Sequence, residues 1–194
     1  MLTLILGGAR SGKSQLAQRL ATRSGRPVLF VATLEPLDEE VAARIESHRA
    51  SRPDTWRVIE APRDAPDALA RHARPGDFVL FDCMTVWIAN EILARIGDAD
   101  AVPLATIVAA SHEILAQVDR LLDWCGRFDG EVAIVSNEVG MSVVPPYRLG
   151  RVFRDVAGEA NKRVAARADR AYLAVAGLAL ELKSLGALPV EDAR

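Results

Sequence analysis

Eight residues near the start of the chain have the types and the spacing that phosphate binding requires. They are Gly7-Gly8-Ala9-Arg10-Ser11-Gly12-Lys13-Ser14, which satisfy the pattern G-x-x-x-x-G-K-S in full. The glycines allow backbone N–H groups to turn inward around phosphate oxygens, and a helix that begins here adds the partial positive charge of its N-terminus. Lys13 would reach the β- and γ-phosphates of a nucleoside triphosphate, and the Ser14 hydroxyl would hold Mg²⁺. The alternative is a glycine turn that contains Lys-Ser by coincidence.

A second acidic group is needed to hold the water shell of such a metal. Asp82 directly follows the apolar run Phe78–Phe81, which is the place where this acid stands in proteins with the same phosphate-binding pattern. We therefore expect Asp82 to hold Mg²⁺ through water. The alternatives are a turn at the end of a strand and the N-cap of the following helix.

His48 is the histidine whose neighbours suggest chemistry. It closes a predicted helix, 37–49, and leads into Arg49-Ala50-Ser51-Arg52-Pro53, where two arginines could hold a polyphosphate. The alternative is a structural role for His48. It shares a helical stripe with Val41 and Ile45, and a histidine at such a position usually packs in the core or at its boundary. His72 lies in a polar connecting segment and His112 within a long helix, and neither has suggestive neighbours.

The elements that must position these residues alternate along the chain. The predicted strands are Leu2–Leu6, Val28–Ala32, Trp56–Glu60, Phe78–Phe81, Val132–Val135 and Ala171–Val175. The predicted helices are Lys13–Arg23, Leu37–Arg49, Ala65–Arg71, Thr85–Ile96, Thr106–Cys125 and Leu149–Arg167. Such alternation predicts an α/β protein with a mostly parallel sheet covered by helices on both faces. We expect a single domain over residues 1–194.

Composition excludes several classes of function. Half of the 194 residues are apolar, 26% are charged and the net charge is −2, so bulk attraction to nucleic acid is not expected. No apolar run approaches the roughly 20 residues of a membrane-spanning helix, and the short apolar start lacks the features of a signal peptide. The two cysteines, Cys83 and Cys125, have no metal-binding or redox spacing. These features indicate a cytoplasmic protein.

Several stretches together resemble one family of enzymes. They are the phosphate-binding octapeptide, Ala32-Thr33, Glu39-x-x-Ala42-Ala43-Arg44-Ile45-x-x-His48-Arg49-x-x-Arg52-Pro53-x-x-Trp56, Asn137-Glu138-Val139-Gly140 and Phe153-Arg154-Asp155-x-x-Gly158-x-x-Asn161. From Leu2 to about Leu182, the chain resembles the bifunctional adenosylcobinamide kinase / adenosylcobinamide-phosphate guanylyltransferase of cobalamin biosynthesis. The histidine-containing stretch and Asn137–Gly140 make the resemblance specific.

The resemblance implies a P-loop NTPase-like (RecA-like) fold and two reactions. In the first, ATP or GTP phosphorylates the aminopropanol hydroxyl of adenosylcobinamide. In the second, GTP guanylylates an enzyme histidine, and GMP then passes to adenosylcobinamide phosphate to give adenosylcobinamide-GDP. The implied cofactor is Mg²⁺, and the implied assembly is a homo-oligomer, a trimer.

Site residues are carried over by position. His48 matches the histidine that becomes guanylylated. The matching nucleotide contacts are the octapeptide, Ala32, Thr33, Leu34, Arg49, Ala50, Ser51, Arg52, Glu60 and Asp82. The resemblance also favours a role for Asn137–Gly140 around the corrinoid or the phosphates. Two other functions remain open: a plain small-molecule kinase in which His48 is structural, and a nucleotide-binding regulatory protein without turnover.

Overall fold

A computed structural model describes residues 1–35 and 53–193. Within these residues the strands are β1 (Leu2–Gly7), β2 (Val28–Ala32), β3 (Arg57–Glu60), β4 (Phe78–Asp82), β5 (Glu131–Asn137), β6 (Arg170–Val175) and β7 (Leu178–Glu181). The helices are α1 (Lys13–Arg23), α2 (Ala65–His72), α3 (Met84–Ile96), α4 (Leu104–Arg127) and α5 (Arg148–Arg167), followed by a 3₁₀ turn at Lys183–Leu185.

The described strands form one sheet in the order β3-β2-β4-β5-β1-β6-β7. The first six pair in parallel, and β7 pairs antiparallel to β6. From β1 the chain crosses to β2 on one side of β1, whereas β5 connects past β1 to β6 on the other side, so connections run in opposite directions from this part of the sheet. In open α/β sheets, ligands bind beyond the carboxyl ends of the strands at such a point.

Alternate residues of the central strands pack against helices on opposite faces of the sheet, because successive side chains point to opposite sides. Leu4 belongs to a large core that includes buried residues of α2, α3, α4 and α5. Ile5 belongs to a smaller core on the other face, where α1 contributes Ala17 and Ala21. Both residues are fully buried. The predicted α/β sheet with helices on both faces is confirmed.

The predicted elements that fall within the described residues are confirmed with small changes at their ends. The helix predicted over 106–125 extends to Leu104–Arg127, and the helix predicted over 37–49 lies outside the described residues. One prediction is wrong, and one strand was not predicted. His72 is the last residue of α2 and not part of a connecting segment, and β7 was not predicted. No helix in the described part of the chain is long and apolar enough to cross a membrane.

Candidate nucleotide-binding site

The phosphate-binding octapeptide lies between the end of β1 and the start of α1, as the sequence predicts. Gly12 precedes the helix with φ 95° and ψ 6°, a left-handed conformation that favours glycine. At Gly7 the restriction is space: an added Cβ would overlap the carbonyl oxygen of Ala174 and lie 2.6 Å from Ser11 Oγ. The two glycines thus allow the loop to turn tightly against the end of β6. We call residues 7–14 the phosphate cradle.

Lys13 is folded back over the cradle. It is 8% exposed, and its Nζ donates a hydrogen bond of 2.7 Å to the carbonyl oxygen of Gly8. Ser11 lies beneath the loop, where its Oγ is buried and has no hydrogen-bond partner among the described residues. Its backbone carbonyl accepts a bond of 3.0 Å from Gly177 N–H. The turn between β6 and β7 therefore supports the cradle from outside.

Asp82 is the last residue of β4 and is partly exposed. β4 lies two strands from β1 in the sheet, a separation of about 10 Å at typical interstrand spacing. Cys83, and not Asp82, is the N-cap residue of α3, and it makes no side-chain capping bond. The N-cap alternative for Asp82 is therefore wrong. Its role as a metal-holding acid stays a prediction.

The Cys83 thiol, next in the chain after Asp82, is affected by the charges of both Asp82 and Lys13. Burial raises the pKa of the Cys83 thiol, and the Asp82 carboxylate raises it further. A hydrogen bond with Thr85 and the positive charge of Lys13 act in the opposite direction. Asp82 ends β4, and the cradle that contains Lys13 follows β1, so both lie at the carboxyl edge of the sheet. A cation and an acid at this edge are the two charges that we expect to bind a metal–nucleotide complex.

Thr33 connects the ends of β2 and β4. Its side chain is fully buried, and its Oγ1 both donates to the carbonyl oxygen of Cys83 and accepts from Cys83 N–H, each at 2.9 Å. Asn90 Nδ2 of α3 then donates to the carbonyl oxygen of Thr33 at 2.8 Å. The hydroxyl of this predicted nucleotide contact thus holds the backbone next to Asp82. Nothing in the sequence around Thr33 indicates this pairing.

A second polar network joins β5 to α3 and α5. Asn137 Nδ2 donates to Thr85 Oγ1 at 2.7 Å, Asn161 Nδ2 donates to the carbonyl oxygen of Asn137 at 3.0 Å, and Ser136 Oγ donates to Asn161 Oδ1 at 2.6 Å. Asn137 and Asn161 belong to the stretches that resemble the family, so that signal was present in the sequence. Thr85 and Ser136 had no such signal. The network fixes the end of the strand beside the cradle.

The other predicted contacts are farther from the cradle. Ala32, at the end of β2, is in register with both Asp82 and the exposed Glu60 at the end of β3. β3 is four strands from β1, about 19 Å away at typical interstrand spacing. The predicted contacts Arg49, Ala50, Ser51 and Arg52, and the predicted nucleophile His48, lie outside the described residues.

Two cavities border α1. One, of about 220 Å³, is lined by Ser11 and Gly12 of the cradle, by the outer face of α1 and by the β6–β7 turn at Gly177. The other, of about 470 Å³, lies between α1 and Pro53 with Trp56. No cluster of three or more metal-ligating side chains occurs in residues 1–35 and 53–193.

The parallel sheet, the glycine cradle at the end of β1 and the acid at the end of β4 define a P-loop nucleotide-binding protein. A solved structure titled as a prototypical ATPase from the type III secretion system of pathogenic bacteria has the same fold, with a TM-score of 0.55 and 13% sequence identity. The alignment covers 98% of this chain and 60% of that ATPase chain.

Sequence comparison is more specific. Residues 3–182 match the family of cobinamide kinase / cobinamide phosphate guanyltransferase, and the chain belongs to this family. Proteins named bifunctional adenosylcobalamin biosynthesis protein CobU, from Escherichia coli K12 and Salmonella typhimurium LT2, are each 39% identical over 183 residues, 94% of this chain and 100% of theirs. A Pseudomonas aeruginosa PAO1 relative named CobP has the same identity over 98% of its length. The predicted family is confirmed.

Proposed function

We propose that this enzyme phosphorylates adenosylcobinamide with ATP or GTP and then transfers GMP from GTP to the product. The observation that supports this most strongly is a complete phosphate cradle beside Asp82, in a chain that matches the bifunctional family over residues 3–182. The final product is adenosylcobinamide-GDP.

In the kinase step, the aminopropanol hydroxyl oxygen attacks the γ-phosphorus and loses its proton to water. The bond from that phosphorus to the β-phosphate oxygen breaks, and ADP or GDP leaves. The transferring group is negatively charged, so catalysis depends on fixed positive charge and on backbone N–H groups aimed at its oxygens. Residues 7–14 supply the N–H groups, and Lys13 supplies the cation. This reaction needs no covalent bond to the enzyme.

Mg²⁺ would be held by Ser14 Oγ, by phosphate oxygens and, through water, by Asp82. This donor set fits the ion, because Mg²⁺ commonly binds through one or two protein oxygens together with substrate phosphates and water. Ser14 is the second residue of α1, at the positive end of that helix. When bound, the metal neutralises phosphate charge.

In the second reaction, an unprotonated ring nitrogen of His48 attacks the α-phosphorus of GTP, and pyrophosphate leaves. A phosphate oxygen of adenosylcobinamide phosphate then attacks the same phosphorus, and the phosphorus–nitrogen bond breaks. Neutral imidazole is a good nucleophile for such a step, and the intermediate remains reactive. Arg49 and Arg52 would offset charge on the transferring group. These roles follow from the sequence and the family.

Incubation with α-labelled GTP and Mg²⁺, followed by intact-mass measurement, tests this function. We expect GMP on the protein through a bond that is labile to acid and stable to base, as for a phosphoramidate. His48→Ala and His48→Asn should lose the adduct and the guanylyl transfer but keep kinase activity. His72→Ala and His112→Ala are the matched controls and should form the adduct normally.

Each rival function predicts a different result. A plain kinase phosphorylates adenosylcobinamide but forms no adduct in the wild-type protein. A regulatory protein binds nucleotide without turnover in a single-turnover assay. An adduct that persists in His48→Ala would move the nucleophile to another residue.

We also propose that the enzyme is a cytoplasmic homotrimer. Support for assembly comes from β7, at the edge of the sheet, where Leu178 and Leu180 are 77% and 56% exposed. Val175, the partner of Leu178 across the hairpin, is exposed as well. An exposed apolar edge strand is a template on which another chain can pair. The proposed cytoplasmic location is consistent with the proposed substrates ATP and GTP, which the cytoplasm contains.

A further inference from the structure

The loop between β5 and α5, residues 138–147, exposes apolar side chains at the carboxyl edge of the sheet. Met141 and Val143 are 86% and 91% exposed, and Val144 and Tyr147 are more than half exposed. Several exposed apolar side chains close together commonly mark a place where another molecule binds. The kinase step described above uses none of them.

This loop begins at the phosphate cradle. Gly7, the first residue of the cradle, is in register with Asn137 at the end of β5. The next residue, Glu138, donates its backbone N–H to the carbonyl oxygen of Gly7 at 3.1 Å. The start of the loop therefore lies next to the phosphate cradle.

Although these side chains are exposed, part of the loop backbone is hydrogen-bonded to α5. Arg151 Nη1 of α5 donates to the carbonyl oxygens of Pro145 and Pro146 at 3.1 and 2.7 Å. Gly150 receives the other side of the loop, since an added Cβ there would lie 2.8 Å from Pro145 Cβ and overlap the Tyr147 ring. The last residues of the loop are held against α5, while Met141, Val143 and Val144 remain exposed.

We infer that the 138–147 loop binds the corrin macrocycle of the acceptor, an inference that rests on the proposed function. A corrin ring is broad and largely apolar on its faces, with amide groups around its rim. Apolar side chains on a held loop match such a face. Binding there brings the aminopropanol arm toward the cradle, where its hydroxyl meets the terminal phosphate. The loop is thus the corrinoid subsite, and the cradle is the nucleotide subsite.

Steady-state kinetics of adenosylcobinamide phosphorylation test this assignment with Met141→Ser, Val143→Ser and the double variant. Both side chains are almost fully exposed, so the substitutions should leave folding stability close to wild type. We expect the KM for adenosylcobinamide to rise about tenfold in the double variant, because apolar contact with the ring is lost. The KM for ATP, and GMP-adduct formation from GTP alone, should not change.

Val190→Ser is the matched control, because Val190 is 79% exposed and lies near the end of the chain. The adjacent Glu191 pairs with Lys162 in the second half of α5, away from the loop. This variant should keep the wild-type KM for adenosylcobinamide. Equilibrium dialysis of adenosylcobinamide without nucleotide, followed by its visible absorbance, should show weaker binding only for the loop variants.

The possible failures can be told apart. If the double variant binds and phosphorylates adenosylcobinamide as wild type does, the inference is wrong and the proposed function stands. If the wild-type enzyme phosphorylates no corrinoid, the proposed function is wrong and the inference falls with it. If light scattering shows that the double variant dissociates, and its KM recovers at high protein concentration, the loop is a contact between copies and not a corrinoid subsite.

Discussion

Lys13 is a cation kept inside the protein, 8% exposed, with its ammonium group donating to the Gly8 carbonyl oxygen. Burying a charge is costly unless it is paired or hydrogen-bonded. A phosphate in the cradle would offer this ammonium oxygens of opposite charge, in a position where water screens the interaction little. The position of Lys13 in the cradle is therefore consistent with the proposed role in phosphate binding.

Replacing Lys13 with alanine should lower the rate of adenosylcobinamide phosphorylation roughly a hundredfold or more, because a preorganised cation is removed from the transferring phosphate. Folding should persist, since alanine is a good helix former and Lys13 is the first residue of α1. Kinase assays and circular dichroism measure the two effects. Lys162→Ala, which removes a surface lysine paired with Glu191, should keep both the wild-type rate and the wild-type fold. A folded Lys13→Ala enzyme with the wild-type rate would contradict the assignment of the cradle.

Asp82→Asn keeps the size of the side chain and removes the charge that would hold Mg²⁺ through water. We expect both reactions to need more Mg²⁺ for half-maximal rate, by roughly tenfold or more. Titration of the rate with Mg²⁺ at saturating nucleotide gives this value. Asp123→Asn, which removes half of an exposed ion pair with Arg167, should leave the titration unchanged. An unchanged titration for Asp82→Asn as well would exclude a role in holding the metal.

At the scale of elements, the sequence predicts what depends on neighbouring residues and misses what depends on distant ones. The cradle was evident because its eight residues are contiguous and lie between a buried strand and a helix. β7 was missed because Leu178–Glu181 is only four residues long, and because Ala176 adopts a positive φ of 51° without being a usual turn residue. Thr33 and Cys83 are 50 residues apart, so no local pattern could pair them.

Thr33→Val should destabilise the connection between β2 and β4. Valine has a similar shape, but it leaves the N–H group of Cys83 without its acceptor, whereas the Cys83 carbonyl still accepts from Trp87 N–H at 3.2 Å. A polar group left unpaired in this way costs about 1–3 kcal/mol, so we expect the free energy of unfolding to fall by about 1–3 kcal/mol. Urea unfolding measures the change. Thr22→Val on the exposed surface of α1 is the control and should change stability by less than about 0.5 kcal/mol. Equal stability of the two variants would mean that the Thr33 hydroxyl is not a structural tie.

At the scale of the whole molecule, the predicted nucleotide contacts and the proposed subunit contact lie on opposite sides of the cradle along the sheet edge. The cradle lies at β1, and the predicted nucleotide contacts Ala32 and Glu60 lie at β2 and β3 on one side of it. On the other side, the β6–β7 turn supports the cradle through the bond from Gly177 to Ser11. A neighbouring subunit bound at β7 would therefore lie next to the turn that contacts the cradle. Assembly and nucleotide binding would then be linked through this turn.

Replacing both Leu178 and Leu180 of β7 with aspartate should dissociate the proposed trimer. The two side chains lie on one face of an edge strand, where contact with another copy would bury them, and an unpaired charge in such a contact is strongly unfavourable. Light scattering should give three times the 21.0 kDa subunit mass for the wild type and the subunit mass for the variant. Leu104→Asp, at an exposed position in the first turn of α4, should remain trimeric. A monomeric wild type would exclude the trimer, whereas a trimeric double variant would place the subunit contact elsewhere. If assembly supports the cradle as described, the dissociated variant should also show a higher KM for ATP.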